Sequence, residues 1–284
     1  MENIPNILIE YINKNIAQYL SMKEVDEQTF KINTNSKSLI IKKIIKNNEL
    51  FFYQTYYHQL TAKGLLLPQL YYLHQEGHNF WAIIEYFPFK LPEERWEADQ
   101  KLISYLATVH KNEINHKIEN AFYPQWTNQM TQVALECFDP TFHENLKHQL
   151  DSILNKSKHL FNSKYIINGN PGPKHWAINE KQELILFNWN AIGYGHPAID
   201  IAISICSSEN RKTSMKAAKY YLEVNDLGIS IEEFSDDILK ACTWNYIYFL
   251  NNYMDNKTTT PEKLIDHISE QFPQWLNTIY EELN

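Results

Sequence analysis

The chain has 284 residues, of which 44% are hydrophobic, 14% aromatic and 21% charged; this is ample material for a buried core and excludes disordered, fibrous and stapled mini-protein classes. Lys plus Arg total 26 against 34 Asp plus Glu, and the net charge of −8 offers no general attraction to nucleic acid or anionic lipid. Cys137, Cys206 and Cys242 lie far apart without CxxC spacing, which argues against a disulfide framework or a thiolate zinc site. No uncharged apolar run approaches the roughly 18 residues of a membrane span. The opening MENIPNILIEYINKN carries acids and Asn inside its apolar pattern rather than a basic region and an apolar run, so the expectation is a cytoplasmic protein with neither a nucleic-acid nor a membrane partner.

In chain order, Ile7, Ile9, Ile12, Ile16 and Leu20 predict an amphipathic helix over residues 4–20. Residues 30–32 and 39–45 are β-favouring runs around a polar turn at 33–37, which reads as a hairpin. Asn47 and Asn48 are potential caps for an aromatic helix over 49–60. After Pro68 an extended pair, 69–74 and 80–87, flanks the turn at 76–79, and Pro88 with Pro92 marks a hinge. Helices are expected at 98–110, 146–161 and near 126–137. Between 165 and 200 short apolar runs punctuated by Gly and Pro read as a loop and hairpin inside helical surroundings. Helices follow at 198–207, 212–224, 231–253 and 261–283, with Cys206 on an apolar helix face, buried and inert. The order predicts an α+β architecture: residues 1–88 form a small lobe with a leading helix, a sheet and one internal helix, and residues 89–284 form a larger helical lobe.

The segment YIINGNPGPKHWAINEKQELILFNWNAIGYGHPAIDIA, residues 165–202, resembles the catalytic core of the aminoglycoside phosphotransferase and choline kinase-like family. That core reads HGD-LHPGN after an apolar strand, then a hairpin ending IDW, then G-x-G-DP-x-x-DLA. The spacing matches without a gap. Residues 38–42 look like the strand bearing the family's ATP lysine, residues 49–53 like its helix-C glutamate motif, residues 85–88 like its hinge and residues 106–110 like its LA-x-LH helix. The resemblance implies a bilobal protein kinase-like fold and spans residues 40–284. It nominates Lys42, Glu49 and Glu85 as the nucleotide-facing residues, should a nucleotide bind. Asp200 looks like the DLA aspartate that braces the catalytic loop.

The chain departs from the pattern where chemistry would be done. The resemblance places the family's catalytic Asp at Asn170, its metal-holding Asn at His175 and its metal-holding Asp at Asn188, and Asn168 stands for the first histidine. An amide is not basic near pH 7 and offers a hard cation one weak carbonyl oxygen. Loss of a general base alone costs about 10² to 10⁴ in rate. From residue 165 to 199 the only acids are Glu180 and Glu183, at the expected hairpin turn, and residues 23–37 contain no Gly with which backbone could approach phosphates. His175, His196 and Asn188 find no carboxylate or thiolate in the segment to complete a transition-metal site.

The expectation is therefore a pseudokinase, with no cofactor and no metal, that binds a small molecule, peptide or protein partner in the interlobe cleft. The alternatives are a divergent ATP- and Mg²⁺-dependent phosphotransferase acting on a small-molecule hydroxyl, or a non-kinase activity in the same cleft with His175 as acid or base.

Overall fold

The computed structural model describes residues 4–112, 118, 120–205, 210–255 and 262–284. They form two compact units, one built chiefly of Met1–Leu91 with Lys174–Ile192, the other of Pro92–Glu113, Phe122–Pro173 and Gly193–Asn284.

The first unit opens with helix α1 (Asn6–Asn15), shorter than the 4–20 predicted. Its end is set by asparagine side chains: Asn13 accepts from the Tyr19 amide at 2.8 Å and Asn15 donates back to the Tyr11 carbonyl, local bonds that compete with a continued helix. Leu20 belongs instead to strand β1 (Tyr19–Asp26). Strands β1, β2 (Thr29–Thr34), β3 (Ser38–Ile44), β4 (Leu70–Glu76) and β5 (Asn79–Glu85) make an antiparallel sheet in the order β1-β2-β3-β5-β4. Strand period two sends Phe30, Ile32, Leu39, Ile41, Trp81 and Ile83 to one face, where Leu8 and Ile12 of α1 complete a core cluster. Lys42, paired in register with Thr29 and Ala82, points to the other face.

The aromatic helix runs through α2 (Asn47–Phe51), a wide π turn at Phe52–Tyr56, and α3 (Tyr57–Ala62). Strand β6 (Phe89–Lys90), directly after the expected hinge proline Pro88, pairs with β8 (Trp176–Ile178), which forms a hairpin with β9 (Leu184–Leu186).

The second unit is mainly helical. Helices α4 (Gln100–His110), α5 (Asn128–Leu135), α6 (His143–Lys156) and α7 (Lys158–Phe161) precede strand β7 (Tyr165–Ile167). The single helix predicted over 146–161 is broken at Ser157, whose buried hydroxyl donates to the Ile153 carbonyl at 2.6 Å and bends the turn. Strand β7 pairs with β10 (Gly193–Gly195). Only glycine fits at 193, because a Cβ there would stand 1.9 Å from the Phe122 carbonyl oxygen. Helices α8 (Pro197–Ser204), α9 (Arg211–Leu222), α10 (Ile231–Asp255) and α11 (Glu262–Glu282) finish the chain. Every residue of α8 is buried. The expected burial of Cys206 lies outside the described residues, while Cys242 is buried in α10. Among the described residues no helix is long and apolar enough to cross a membrane.

Candidate functional site

In the second unit the segment after β7 is held by one carboxylate. Asp200, in the first turn of α8 and fully buried, accepts from the Asn168 amide through Oδ2 at 2.7 Å and from the Gly169 amide through Oδ1 at 2.8 Å. Gly169 has φ +78°, a left-handed conformation that glycine adopts without strain. The buried Asn168 side chain then accepts from the Asn170 amide at 3.1 Å, closing a local turn. His110, the last residue of α4, stands 3.0 Å from Asp200 Oδ2 through Nε2, and its Nδ1 lies 3.1 Å from the Tyr221 hydroxyl. Burial pushes the Tyr221 hydroxyl pKa well up, so it stays protonated. The segment ends on Asn170, half-buried and carrying an amide.

In the first unit, Lys42 Nζ meets Glu49 Oε1 at 2.6 Å; the carboxylate side is almost wholly buried and the lysine side about one-fifth exposed. Glu49 sits in the first turn of α2, where a negative charge also complements the helix dipole. The neighbouring Asn48, buried, donates to the Asn190 carbonyl at 2.9 Å, tying α2 to the stretch after β9. Phe52 reinforces this by stacking on Trp189 at 4.4 Å with the rings nearly parallel. Burial, with the Glu49 charge beside it, raises the Tyr53 hydroxyl pKa well above its usual value. Beyond the cap expected of it, Asn48 has a role that depends on a carbonyl 142 residues away, which no local pattern announces.

His175 closes a 3-10 turn just before β8 and is buried, its carbonyl accepting from the Phe187 amide and its ring edge-on to the Phe187 ring. Asn188 follows β9 by two residues and accepts from the Asn190 amide at 3.3 Å. Glu85 ends β5 opposite Leu39 and accepts from the Gln69 amide at 3.2 Å. Of the residues nominated from sequence, Lys42 and Glu49 are in contact, His175 and Asn188 flank the β8–β9 hairpin, and Asn170 belongs to the other unit.

Mg²⁺ is held by carboxylate oxygens completed by water and phosphate. Positions 170, 175 and 188 supply two amides and an imidazole. Glu180 and Glu183 sit exposed at the β8–β9 turn, where Glu183 takes a bond from Asn179 Nδ2 at 2.7 Å. Among the described residues no group of three or more His, Cys, Asp or Glu could hold a metal ion. None of these three side chains, taken singly, suits Mg²⁺.

No protein-family profile matches the chain, and none of the curated proteins does. Solved structures do. An aminoglycoside phosphotransferase from Alicyclobacillus acidocaldarius superposes with a TM-score of 0.66 at 11% identity, covering 100% of this chain and 97% of that one. Spectinomycin phosphotransferase APH(9)-Ia, in complex with ADP and spectinomycin, gives 0.65 at 11% identity with 100% of both chains covered. The choline kinase LicA from Streptococcus pneumoniae gives 0.62 at 16% identity, covering 96% and 98%. The chain has the kinase-like fold of the aminoglycoside phosphotransferases and choline kinases. It is α+β, with a five-stranded antiparallel sheet at the N-terminal end and a mostly helical remainder.

Proposed function

We propose that this chain is a pseudokinase: a cytoplasmic protein with the kinase-like fold that acts by binding a small molecule, a peptide or a protein partner and does not transfer phosphate. The observation that carries the reading is the contrast within residues 168–200. Asp200 binds the Asn168 and Gly169 amides as a brace, which supports the register in which amides stand at 170 and 188. An amide neither accepts a proton near pH 7 nor neutralises a divalent cation. The exposed Glu180 and Glu183 at the far turn of the hairpin offer no substitute.

A second reading, phosphate transfer from ATP to a small-molecule hydroxyl, is favoured by two things. The solved structures of this fold named above are phosphotransferases or a choline kinase, and the Lys42–Glu49 ion pair, of the kind that positions nucleotide phosphates, is formed. The likeness speaks for this reading and the residues at 170, 175 and 188 speak against it.

Thermal unfolding with millimolar ATP, with and without Mg²⁺, separates the two. A ligand at 100 times its dissociation constant stabilises by about 2.7 kcal/mol. The pseudokinase reading expects no rise in Tm, or a rise indifferent to Mg²⁺. A clear Mg²⁺-dependent rise, accompanied by ADP release on addition of choline or an aminoglycoside, would replace it with the transfer reading.

A further inference from the structure

Behind Asp200 a line of buried polar side chains runs from the end of α9 to the loop. Asn225 Nδ2 donates to the Tyr221 hydroxyl at 2.9 Å, Tyr221 meets His110 Nδ1 at 3.1 Å, His110 Nε2 meets Asp200 at 3.0 Å, and Asp200 takes the Asn168 amide at 2.7 Å. All five residues are less than a tenth exposed, in a setting where an unmet donor or acceptor costs the full desolvation of that group.

The direction of these bonds follows from chemistry. A carboxylate only accepts, so His110 Nε2 carries hydrogen. With the Asn225 amide donating to the phenol oxygen, the Tyr221 O–H is left to donate to Nδ1, which must then be the bare, accepting nitrogen. In this arrangement each bond of the line has one donor and one acceptor. Were the imidazole doubly protonated, Nδ1 would donate to the phenol oxygen and the Asn225 amide would have to turn over to receive the Tyr221 proton.

We propose that Tyr221, backed by Asn225, is a positioning residue for the Asn168–Asn170 loop: it holds His110 in the Nε2–H form, which keeps Asp200 turned toward the two loop amides. The functional weight of the loop rests on the reading above, in which the amide at 170 stands at a catalytic position; the positioning itself does not. Tyr221 lies in α9, 51 residues beyond Asn170 in sequence, and is linked to the loop through His110 and Asp200. A change at the end of α9 is thereby felt at Asn170.

The test is made on the ligand-free protein by ¹⁵N NMR of the His110 ring and by amide hydrogen exchange. In the unaltered protein the ring nitrogens should report a neutral imidazole with hydrogen on Nε2; a doubly protonated ring, or hydrogen on Nδ1, overturns the proposal whether or not any variant folds. In Tyr221→Phe, which keeps the ring and deletes the hydroxyl, exchange at Asn168 and Gly169 should accelerate about tenfold more than exchange in the middle of α10, the factor expected for one lost hydrogen bond. The ring signals should lose the single Nε2–H pattern. Exchange at the loop that rises only in step with α10, or unchanged ring signals, would mean that Tyr221 merely fills space. Neither readout involves nucleotide, so a positive transfer assay would leave this inference standing and its failure would leave the proposed function standing.

Discussion

The neighbourhood of Asp200 and the end of the β8–β9 hairpin at Asn188 make an instructive pair. In the family pattern both positions carry aspartate. Here Asp200 remains and is met by two backbone amides and the His110 imidazole, whereas at 188 an amide accepts from the Asn190 backbone. A buried carboxylate surrounded by donors is required by the fold itself, because removing it strands the donors. A half-buried carboxylate whose purpose is to face a metal has no such protection, since without the cation it is a desolvated charge and an amide of similar shape relieves it. The comparison teaches which aspartate of the pattern the fold itself demands: the one that the backbone needs.

Four experiments break or sharpen that contrast. The largest effect is expected for Asp200→Ala, which leaves the Asn168 and Gly169 amides and His110 without their acceptor; urea unfolding should show a loss of about 3–5 kcal/mol, and a loss below 1 kcal/mol would remove the brace from the account.

Next comes pH, through His196. This residue stands where the family pattern has the Asp before Pro, and its Nδ1 accepts from the Ala198 amide at the start of α8. Burial holds its pKa down at about 4, against the pull of Asp237 and with the neighbouring His159 and Lys240 reinforcing the depression. The unfolded chain binds the proton near pH 6.5 and the folded chain only near 4, so stability is present above pH 6.5 and is lost as pH falls through that window, by at most about 3 kcal/mol. Denaturation midpoints between pH 7 and 4 should show this slope, and His196→Asn, which keeps an acceptor at the cap, should flatten it.

Lys42→Met should cost about 2 kcal/mol in the same unfolding assay, less than a fully buried pair would because the lysine is about one-fifth exposed. An unchanged stability would mean that Glu49 is satisfied without its partner. The smallest effect on the fold and the most specific on chemistry is expected from restoring Asp at 170 and 188 with Asn at 175. Mg²⁺ binding, followed by calorimetry, should strengthen relative to the unaltered chain, and equal affinities would show that these positions do not converge on a metal.

Much of this was legible in the sequence because it rested on local periodicity or on spacing. Strands β2 and β3 alternate buried and outward residues, and the 165–202 segment keeps the family spacing around Gly169, Trp189 and Asp200. Strand β1 escaped notice because it is an edge strand whose residues are almost all exposed, so no alternation marks it, and its Leu20 instead extended the apparent period of α1. The break at Ser157 was invisible because apolar spacing continues across it. At the site, Lys42 with Glu49 was legible only through the resemblance of residues 38–42 and 49–53 to the family's lysine strand and helix-C motif. Asn48 to Asn190 and Tyr221 to His110 could not, since each is a long-range bond between residue types that occur commonly as caps and core aromatics.

The account stands or falls on the neutral side chains at 170 and 188, and the direct measurement is transfer of label from [γ-³²P]ATP by the purified protein, offered choline and aminoglycosides as acceptors, beside the same protein with Lys42→Met. The prediction is label in acceptor no higher than in the Lys42 variant. Sustained, Mg²⁺-dependent turnover that vanishes on loss of Lys42 would contradict it.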